Sequence, residues 1–358
     1  MRKLWYIGFV VLAVTIITVM ESRRERLTEG DTISHHTEKG FRNPFTGFQE
    51  HGFSDFLKWA VERKKGTKEK NKTEYSFETV DNDGSYLREN KDDISVTWVG
   101  HSTLLVQLKE VNILTDPMWG SRASPVAWAG PERLVKPVIA FENLPEIHVV
   151  LISHDHYDHL DKGTLKRLGS KPFYVVPLGI GKYLKKLRID NYRELDWWDT
   201  VTYGGIEFAC TPAQHFSGRW MFDRNKTLWC GWAVRGKSAS FYFAGDSGYF
   251  SGFREIGKRF GPFDLVCLPI GAYLPQWFMG RVHTSPKEAI QAFHDLCGSL
   301  FLAIHWGTFV LADDPPDLAP EVLREEIRKA ELNKKDFWIL KHGETRGILH
   351  SVSLPGVE

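Results

Sequence analysis

A run of nine residues concentrates many of the side chains in this chain that could bind a divalent metal ion. It reads Ser-His-Asp-His-Tyr-Asp-His-Leu-Asp and follows an apolar segment, 147–152, that predicts a buried strand. His154 and His156 are two apart and point to the same side of an extended chain, while Asp158 and His159 can turn back towards a second ion. Imidazole nitrogens and carboxylate oxygens are ligands that Zn²⁺ prefers. The run predicts a metal hydrolase, with two metals expected.

Three further candidate ligands lie later in the chain, each directly after an apolar, strand-like segment. They are His215, Asp246 and His305. A lone His is usually a hydrogen-bonded structural residue and a Gly-Asp pair is usually a turn, so each alone is a weak indication. Strand ends at one edge of a sandwich converge in space, so these separated loops can build one site together with the nine-residue run.

The composition limits the class of protein. The chain has 358 residues, 42% of them hydrophobic and 25% charged, which is typical of a folded body of one or two domains. A net charge of +1 predicts no nucleic-acid partner. The cysteines are widely spaced, with no CxxC pair; they are Cys210, Cys230, Cys267 and Cys297. Cys210 and Cys267 lie in apolar, strand-like segments and are expected to be small buried residues, which favours a reducing compartment.

The N-terminus differs from the rest of the chain. Positions 4–20 carry no formal charge and follow Arg2 and Lys3. This length is at the low end for a helix that spans a membrane. A signal peptide is the alternative, but no small-x-small cleavage site follows the apolar run. We predict an uncleaved transmembrane anchor over 1–22 and a loose linker over 23–40.

Residues 41–92 are expected to lead into the core domain, which we predict over 93–358. Apolar residues between 53 and 61 recur at helical spacing, which predicts an amphipathic helix packed on the domain or lying on lipid. The segment 63–72 contains six basic residues and one acidic residue. It is either a solvated loop or a contact with anionic lipid.

Beyond residue 93, short apolar segments alternate with helical ones. This order predicts the α/β (α+β) class, with two sheets at the centre and helices outside. The predicted strands cover 94–99, 104–108, 111–115, 147–152, 173–176, 206–211, 228–234, 240–244, 265–270, 301–305 and 337–340. The predicted helices cover 181–187, 286–297 and 318–331.

Longer segments resemble a known family. His-x-His-x-Asp-His followed by a His, an Asp and a His on later loops resembles the metallo-β-lactamase superfamily, whose fold is a four-layer αβ/βα sandwich. Between about 41 and 350, further segments resemble the N-acylphosphatidylethanolamine-hydrolysing phospholipase D family. They are Trp-Val-Gly-His-Ser-Thr at 98–103, Leu-Thr-Asp-Pro at 114–117, Ser-Arg-Ala-Ser-Pro at 121–125, and the segments 194–198, 257–264 and 304–308.

The resemblance implies two zinc ions and a phospholipase D reaction. The first zinc would be bound by His154, His156 and His215. The second would be bound by Asp158, His159 and His305. Asp246 would bridge both ions. A hydroxide between them would attack the phosphodiester of N-acylphosphatidylethanolamine, which releases N-acylethanolamine and phosphatidic acid. All the implied ligand positions are filled, which argues against a non-catalytic lipid-binding or scaffold protein.

Further residues acquire roles from the same resemblance. Asp158, Asp246 and His283 are the expected catalytic residues. His283 would bind the substrate phosphate or protonate the leaving oxygen, although a purely structural His is the alternative. Tyr157 would line the phosphate pocket. His101 and Asp116 would orient the metal ligands. The alternative is that they form a cap and a turn.

The expected partners follow from the lipid substrate. The resemblance implies a phospholipid substrate, a membrane and a homodimer. With the predicted anchor, it indicates single-pass attachment to an internal membrane. A glycan at the sequon of Asn225, close to His215, would crowd the site, which favours a cytosolic catalytic domain. The aromatic segment 274–279 is either a buried loop or a surface at the entrance. The alternative chemistry is hydrolysis of another ester, lactone, thioester or phosphodiester by the same site.

Overall fold

The computed structural model describes residues 34–45, 48, 52, 54–55, 57–59, 61–62, 75–109, 111–220 and 222–348. The chain divides into two units, 1–35 and 36–358, and the second contains all the elements below. The predicted anchor, the basic loop and most of the predicted linker lie outside the described residues. Within the described part of the chain, no helix is long and apolar enough to cross a membrane.

The first sheet has the strand order β16-β3-β4-β5-β6-β7-β8. From β16 to β5 neighbouring strands are antiparallel, and from β5 to β8 they are parallel. The strands are β3 (Ile94–Gly100), β4 (Thr103–Leu108), β5 (Val111–Thr115), β6 (Val149–Leu151), β7 (Phe173–Pro177), β8 (Tyr192–Leu195) and β16 (Thr345–Gly347).

The second sheet follows the same plan in the order β15-β14-β13-β12-β11-β10-β9. Strands β9 to β12 are antiparallel, and β12 to β15 are parallel. They are β9 (Thr200–Tyr203), β10 (Ile206–Thr211), β11 (Gly231–Arg235), β12 (Ser240–Phe243), β13 (Phe263–Pro269), β14 (Gly298–Ile304) and β15 (Phe337–Trp338). A separate small hairpin pairs β1 (His36–Thr37) with β2 (Gly40–Phe41).

Helices pack on the outer face of each sheet. The described helices of this unit are α1 (Ser85–Glu89), α2 (Lys162–Leu168), α3 (Gly181–Lys186), α4 (Gly252–Phe260), α5 (Gln276–Met279), α6 (Pro286–Asp295) and α7 (Leu318–Lys329). Helix α6 begins as expected, because Ser285 and Glu288 form a capping box and Pro286 occupies the first turn. Positions 54–55, 57–59 and 61–62 are also helical.

Three apolar layers explain why the strands are hydrophobic on both faces. Side chains such as Trp98, Phe208 and Trp232 fill the space between the sheets. The alternate positions face outwards: Leu105 packs towards the helices of the first sheet, and Val266 towards those of the second. Strands that are buried on both sides read as continuous apolar runs. The predicted four-layer αβ/βα sandwich is confirmed.

Both sheets present loops at the carboxyl ends of their strands, and one glycine allows two of these loops to meet. Gly245 lies two residues after the end of β12, with φ of +58°. A Cβ atom at this position would lie 2.4 Å from the Cβ of Ser153, which follows β6 of the other sheet. Such a distance is far below van der Waals contact. A side chain here would therefore push the two sheets apart directly beside His154.

We expect Gly245→Ala to destabilise the fold more than Gly205→Ala. Gly205 also has a positive φ, of +75°, but a Cβ there meets nothing within 4 Å. The control variant should cost only the backbone strain of about 1–2 kcal/mol. Gly245→Ala should cost about 1–3 kcal/mol more because of the overlap with Ser153. Urea unfolding of both variants measures the difference, and equal free energies of unfolding would contradict the close approach.

Candidate functional site

Six loops converge at this edge of the sandwich, and each begins where a strand ends. His101 follows β3, Asp116 follows β5, His215 and Asp246 follow β10 and β12, and His305 follows β14. The predicted ligands of the nine-residue run lie between β6 and α2. Helix α2 starts immediately afterwards because Asp161 caps it, accepting the backbone N–H groups of Gly163 and Thr164.

The first group of donor atoms contains the three imidazoles of His154, His156 and His215. The Nε2 atom of His154 lies 2.8 Å from Nδ1 of His156. The Nε2 atom of His215 lies 3.2 Å from the same Nδ1 atom. Three nitrogens that face one another in this way can bind one cation between them.

The second group contains Asp158, His159 and His305, together with His101. The Oδ2 atom of Asp158 lies 3.3 Å from Nε2 of His159 and 3.5 Å from Nε2 of His305. It also lies 2.9 Å from Nε2 of His101, which is a hydrogen-bond distance. The orienting role predicted for His101 agrees with this contact and stays a prediction.

Asp246 lies between the two groups. Its Oδ2 atom is 3.2 Å from Nε2 of His159 and 3.1 Å from Nε2 of His305 in the second group. The same oxygen is 3.8 Å from Nε2 of His215 and 4.0 Å from Nε2 of His154 in the first group. One carboxylate therefore faces both sets of donors, as a bridging ligand would.

Contacts behind the donors fix which ring nitrogen faces the site. Asp116 accepts the Nδ1–H of His159 at 2.7 Å. It also accepts the Ser153 hydroxyl at 2.6 Å, so that hydroxyl oxygen is left to accept Nδ1–H of His154 at 2.9 Å. The backbone carbonyl of Val282 accepts Nδ1–H of His215 at 2.9 Å. Each contact leaves Nε2 directed at the site, as is usual around metal-binding histidines.

The electrostatics of the site favour positive charge at its centre. Burial alone would raise the pKa of Asp246, but the neighbouring imidazoles of His159 and His305 hold it well below its usual value. Burial alone would lower the pKa of His305, but Asp246 and Asp158 raise it to about 9. Burial lowers the pKa of His154 and His215 well below the usual value, so both are neutral and able to bind a cation.

Several site residues have unusual backbone conformations. His101, Asp116 and His305 all have positive φ angles, of 55°, 34° and 60°. Non-glycine residues in this region are strained by about 1–3 kcal/mol each, and such strain concentrates at functional sites. In each case the strained residue directly follows a strand and turns its side chain into the cluster of donors.

The donor atoms fit bound metal ions. Nε2 of His159, Nε2 of His305 and Oδ1 of Asp246 are buried and have no hydrogen-bond partner among the described residues. Leaving buried polar atoms unpaired is costly, and a cation in contact with these atoms would satisfy all of them. Nitrogen and carboxylate donors in this number suit a borderline-soft divalent ion.

The two predicted substrate-binding residues lie at the margin of the cluster. Nδ1 of His283 is 3.9 Å from Oδ2 of Asp246, and burial lowers the pKa of this ring to about 4. Tyr157 is half-buried; its hydroxyl donates to the backbone carbonyl of Arg219 at 3.0 Å, and the Arg219 guanidinium covers its ring. Contact of either residue with a substrate stays a prediction.

Two contributors were missed in the sequence. Asp155, inside the nine-residue run, accepts the N–H of Gly218 at 2.7 Å and the hydroxyl of Tyr183 at 2.9 Å. Its place between His154 and His156 signals this, because alternate residues of an extended chain point to opposite sides. Arg219 donates to the backbone carbonyls of Asp155 and Leu160, and no sequence signal indicated it.

Exposed aromatic side chains lie on two segments that also carry residues in contact with the site. Trp220 and Phe222 are 66% and 74% exposed and follow Arg219 in the loop that contacts the metal-binding run. Trp277 of α5, in the segment 274–279, is also exposed, and His283 follows four residues after the end of that helix. The segment therefore lies at the surface and is not a buried loop, and its position at an entrance stays a prediction.

Comparisons with known proteins agree with this geometry. The sequence model of the family described as "Beta-lactamase superfamily domain" matches residues 111–306. An N-acyl-phosphatidylethanolamine-hydrolyzing phospholipase D of Caenorhabditis elegans is 40% identical over 253 residues, which are 67% of this chain and 71% of that protein. The chain belongs to this phospholipase D family.

Other similar proteins support the same family and fold. A mitochondrial phospholipase D of the family from Saccharomyces cerevisiae is 35% identical over 61% of this chain and 48% of that protein. The solved structure of Igni18, a metallo hydrolase of Ignicoccus hospitalis, aligns with a TM-score of 0.54 at 21% identity, over 71% of this chain and 98% of Igni18. That likeness shows the fold. This member of the phospholipase D family is a metal-dependent hydrolase of the metallo-β-lactamase fold.

We expect bound metal to stabilise the protein and Asp246→Asn to remove most of that effect. A cation at 100 times its dissociation constant adds about 2.7 kcal/mol to the free energy of unfolding. Asp264→Asn is a matched control, because Asp264 accepts hydrogen bonds from Ser240 at the opposite end of β13. Thermal unfolding with Zn²⁺ and with a chelator measures the shift. If Zn²⁺ raises the unfolding temperature of Asp246→Asn as much as that of the parent, Asp246 does not contribute to both groups of donors.

Proposed function

We propose that the protein is a zinc-dependent phospholipase D that hydrolyses N-acylphosphatidylethanolamine to N-acylethanolamine and phosphatidic acid. The observation that carries the proposal is the position of Asp246 between two groups of buried donors, in a chain 40% identical to a phospholipase D of this specificity. Two adjacent cation sites joined by one carboxylate suit displacement at phosphorus, where both the attacking and the leaving oxygen need stabilisation.

The residues present fit two zinc ions. His154, His156 and His215 would hold the first, whereas Asp158, His159 and His305 would hold the second, with Asp246 in contact with both. When bound, such a pair of ions lowers the pKa of water and offsets the negative charge that develops on the phosphoryl oxygens.

The chain's own residues would orient the lipid phosphate. His283 is neutral at pH 7 and lies beside Asp246, so its ring can donate one N–H to a phosphoryl oxygen that approaches the cluster. In the reaction, water adds to phosphorus and the bond from phosphorus to the ethanolamine oxygen breaks. Asp116 and His101 would keep His159 and Asp158 in place while charge on the phosphate changes.

The exposed aromatic residues support a substrate that lies in a lipid aggregate. Trp220 and Phe222 extend from the loop that Arg219 joins to the metal-binding run. Aromatic side chains are favoured at the interface between lipid and water. We therefore propose that this edge of the sandwich faces the membrane during catalysis. Homodimer formation, which the family resemblance implies, and the predicted anchor remain proposals.

The first test is hydrolysis of N-acylphosphatidylethanolamine in detergent micelles by the purified, zinc-loaded protein. We expect release of N-acylethanolamine and phosphatidic acid. Asp246→Asn should release neither above background, because both donor groups lose their shared carboxylate. If folded, zinc-loaded parent protein gives no product, the substrate assignment is wrong, and panels of esters, lactones and other phosphodiesters should follow.

A second test concerns the membrane-facing edge. We expect the double variant Trp220→Ala, Phe222→Ala to require about 100-fold more lipid vesicles for half-maximal rate, since each buried aromatic side chain contributes about 1.5–3 kcal/mol and about 1.4 kcal/mol is a factor of ten. Hydrolysis of a soluble short-chain substrate should not change. Tyr203→Ala is the control, because Tyr203 stacks on Phe173 at the start of β7, away from the site. Equal effects in both assays would contradict the proposal.

A further inference from the structure

His305 lacks the support that three other donor histidines, His154, His159 and His215, have behind their rings. Nδ1 of His154, His159 and His215 each contacts an oxygen behind the site, as described above. His305 directs Nε2 at Asp246, so its Nδ1 points away from the donors. That Nδ1 atom is buried and has no hydrogen-bond partner among the residues that the structure describes. A metal-binding histidine almost always donates this second N–H.

A small cavity lies beside His305. Its lining includes His305, Gly271, Phe309 and Asp314. The space open to the centre of a water molecule is about 10 Å³, which suits one water. A purely apolar cavity of this size would stay empty. Here a buried carboxylate and an imidazole line the cavity, and they can supply the polar partners that an internal water needs.

Asp314 is positioned to accept from such a water. The residue is buried, with only 8% of its surface exposed. Oδ2 accepts the N–H of Ala272 at 2.9 Å, and Oδ1 accepts the N–H of Leu274 at 3.2 Å. Each carboxylate oxygen can accept a second hydrogen bond. The loop that Asp314 holds also packs on the histidine, because a Cβ atom at Gly271 would lie 2.3 Å from the backbone oxygen of His305.

We propose that Asp314 is a positioning residue of the metal centre, which holds His305 through one water bound in the cavity between them. The water accepts Nδ1–H of His305 and donates to the Asp314 carboxylate. The inference rests on the metal site of the proposed function, but not on its substrate. Asp116 orients His159 by accepting its Nδ1–H directly. Asp314 would orient His305 in the same way, but through the water. This arrangement also explains why a buried carboxylate stands close to a ligand that it does not touch.

The test compares metal binding in the full-length parent, Asp314→Asn and Asp313→Asn. Asp313 is the matched control, because it loses the same charge one residue away but its side chain accepts from Trp59 Nε1 at 3.1 Å. Competition with a chelator gives the dissociation constants of the two Zn²⁺ ions. We expect Asp314→Asn to weaken the affinity for one Zn²⁺ ion by about 10- to 100-fold and to leave the affinity for the other unchanged. Asp313→Asn should alter neither.

Two results would overturn the assignment. Unchanged affinity for both ions in a folded Asp314→Asn protein means that Asp314 does not support His305. If the affinity for both ions falls equally and the unfolding temperature is lower, Asp314 only stabilises the 272–274 loop. Cobalt substitution adds a second readout: only the absorption bands of the ion bound by His305 should shift in Asp314→Asn.

A crystal structure of the metal-loaded parent protein tests the water directly and does not depend on the folding of any variant. We expect one ordered water within hydrogen-bond distance of both Nδ1 of His305 and the carboxylate of Asp314. A cavity without that water would overturn the inference. These readouts involve no lipid, so the absence of phospholipase activity would leave them intact, and their failure would leave the proposed reaction intact.

Discussion

The buried carboxylate of Asp116 is the constraint on which the rest of the site depends. It accepts the backbone N–H and the hydroxyl of Ser153, and it accepts Nδ1–H of His159. Through Ser153 it also determines the ring orientation of His154. A single side chain at the end of β5 thereby orients a donor in each of the two groups. This buried polar network is stable because each of these polar groups has a hydrogen-bond partner.

The interior parts of the fold were predictable from the sequence, and the edges were not. Strands such as β4 and β13 are buried on both faces and read as uninterrupted apolar runs. In the two large sheets, the strands that the sequence did not indicate are β8, β9 and β16, and each lies at the edge of its sheet. The hairpin of β1 and β2 was also missed, because the sequence predicted a loose linker over 23–40. Edge strands bury less surface, so their hydrophobic pattern is weak. Helices α1, α2, α4 and α5 were also not predicted. Helices α1 and α5 have only 5 and 4 residues, and glycines lie within α2 and α4.

The candidate ligands were predictable because their chemistry is local, whereas their supports are not. Histidines two residues apart, after a strand, indicate a metal site from sequence alone. Arg219 donates to the backbone carbonyl of Leu160, which lies 59 residues earlier in the chain. Asp314 is nearer to His305 in the chain, but only the folded loop places both residues against one cavity. Nothing in the residues around them signals this, since the fold alone brings the partners together. Asp155 is an intermediate case, because its alternation with the histidines was visible.

The two sheets share one plan, three antiparallel steps followed by three parallel ones, and the donors divide between them. His154, His156, Asp158 and His159 come from the first sheet, whereas His215, Asp246 and His305 come from the second. Neither sheet alone provides all the candidate ligands of either group together with the bridging Asp246. A cation held at this junction is therefore a cross-link between two pseudo-symmetric halves, and either half can separate from the other only by releasing it.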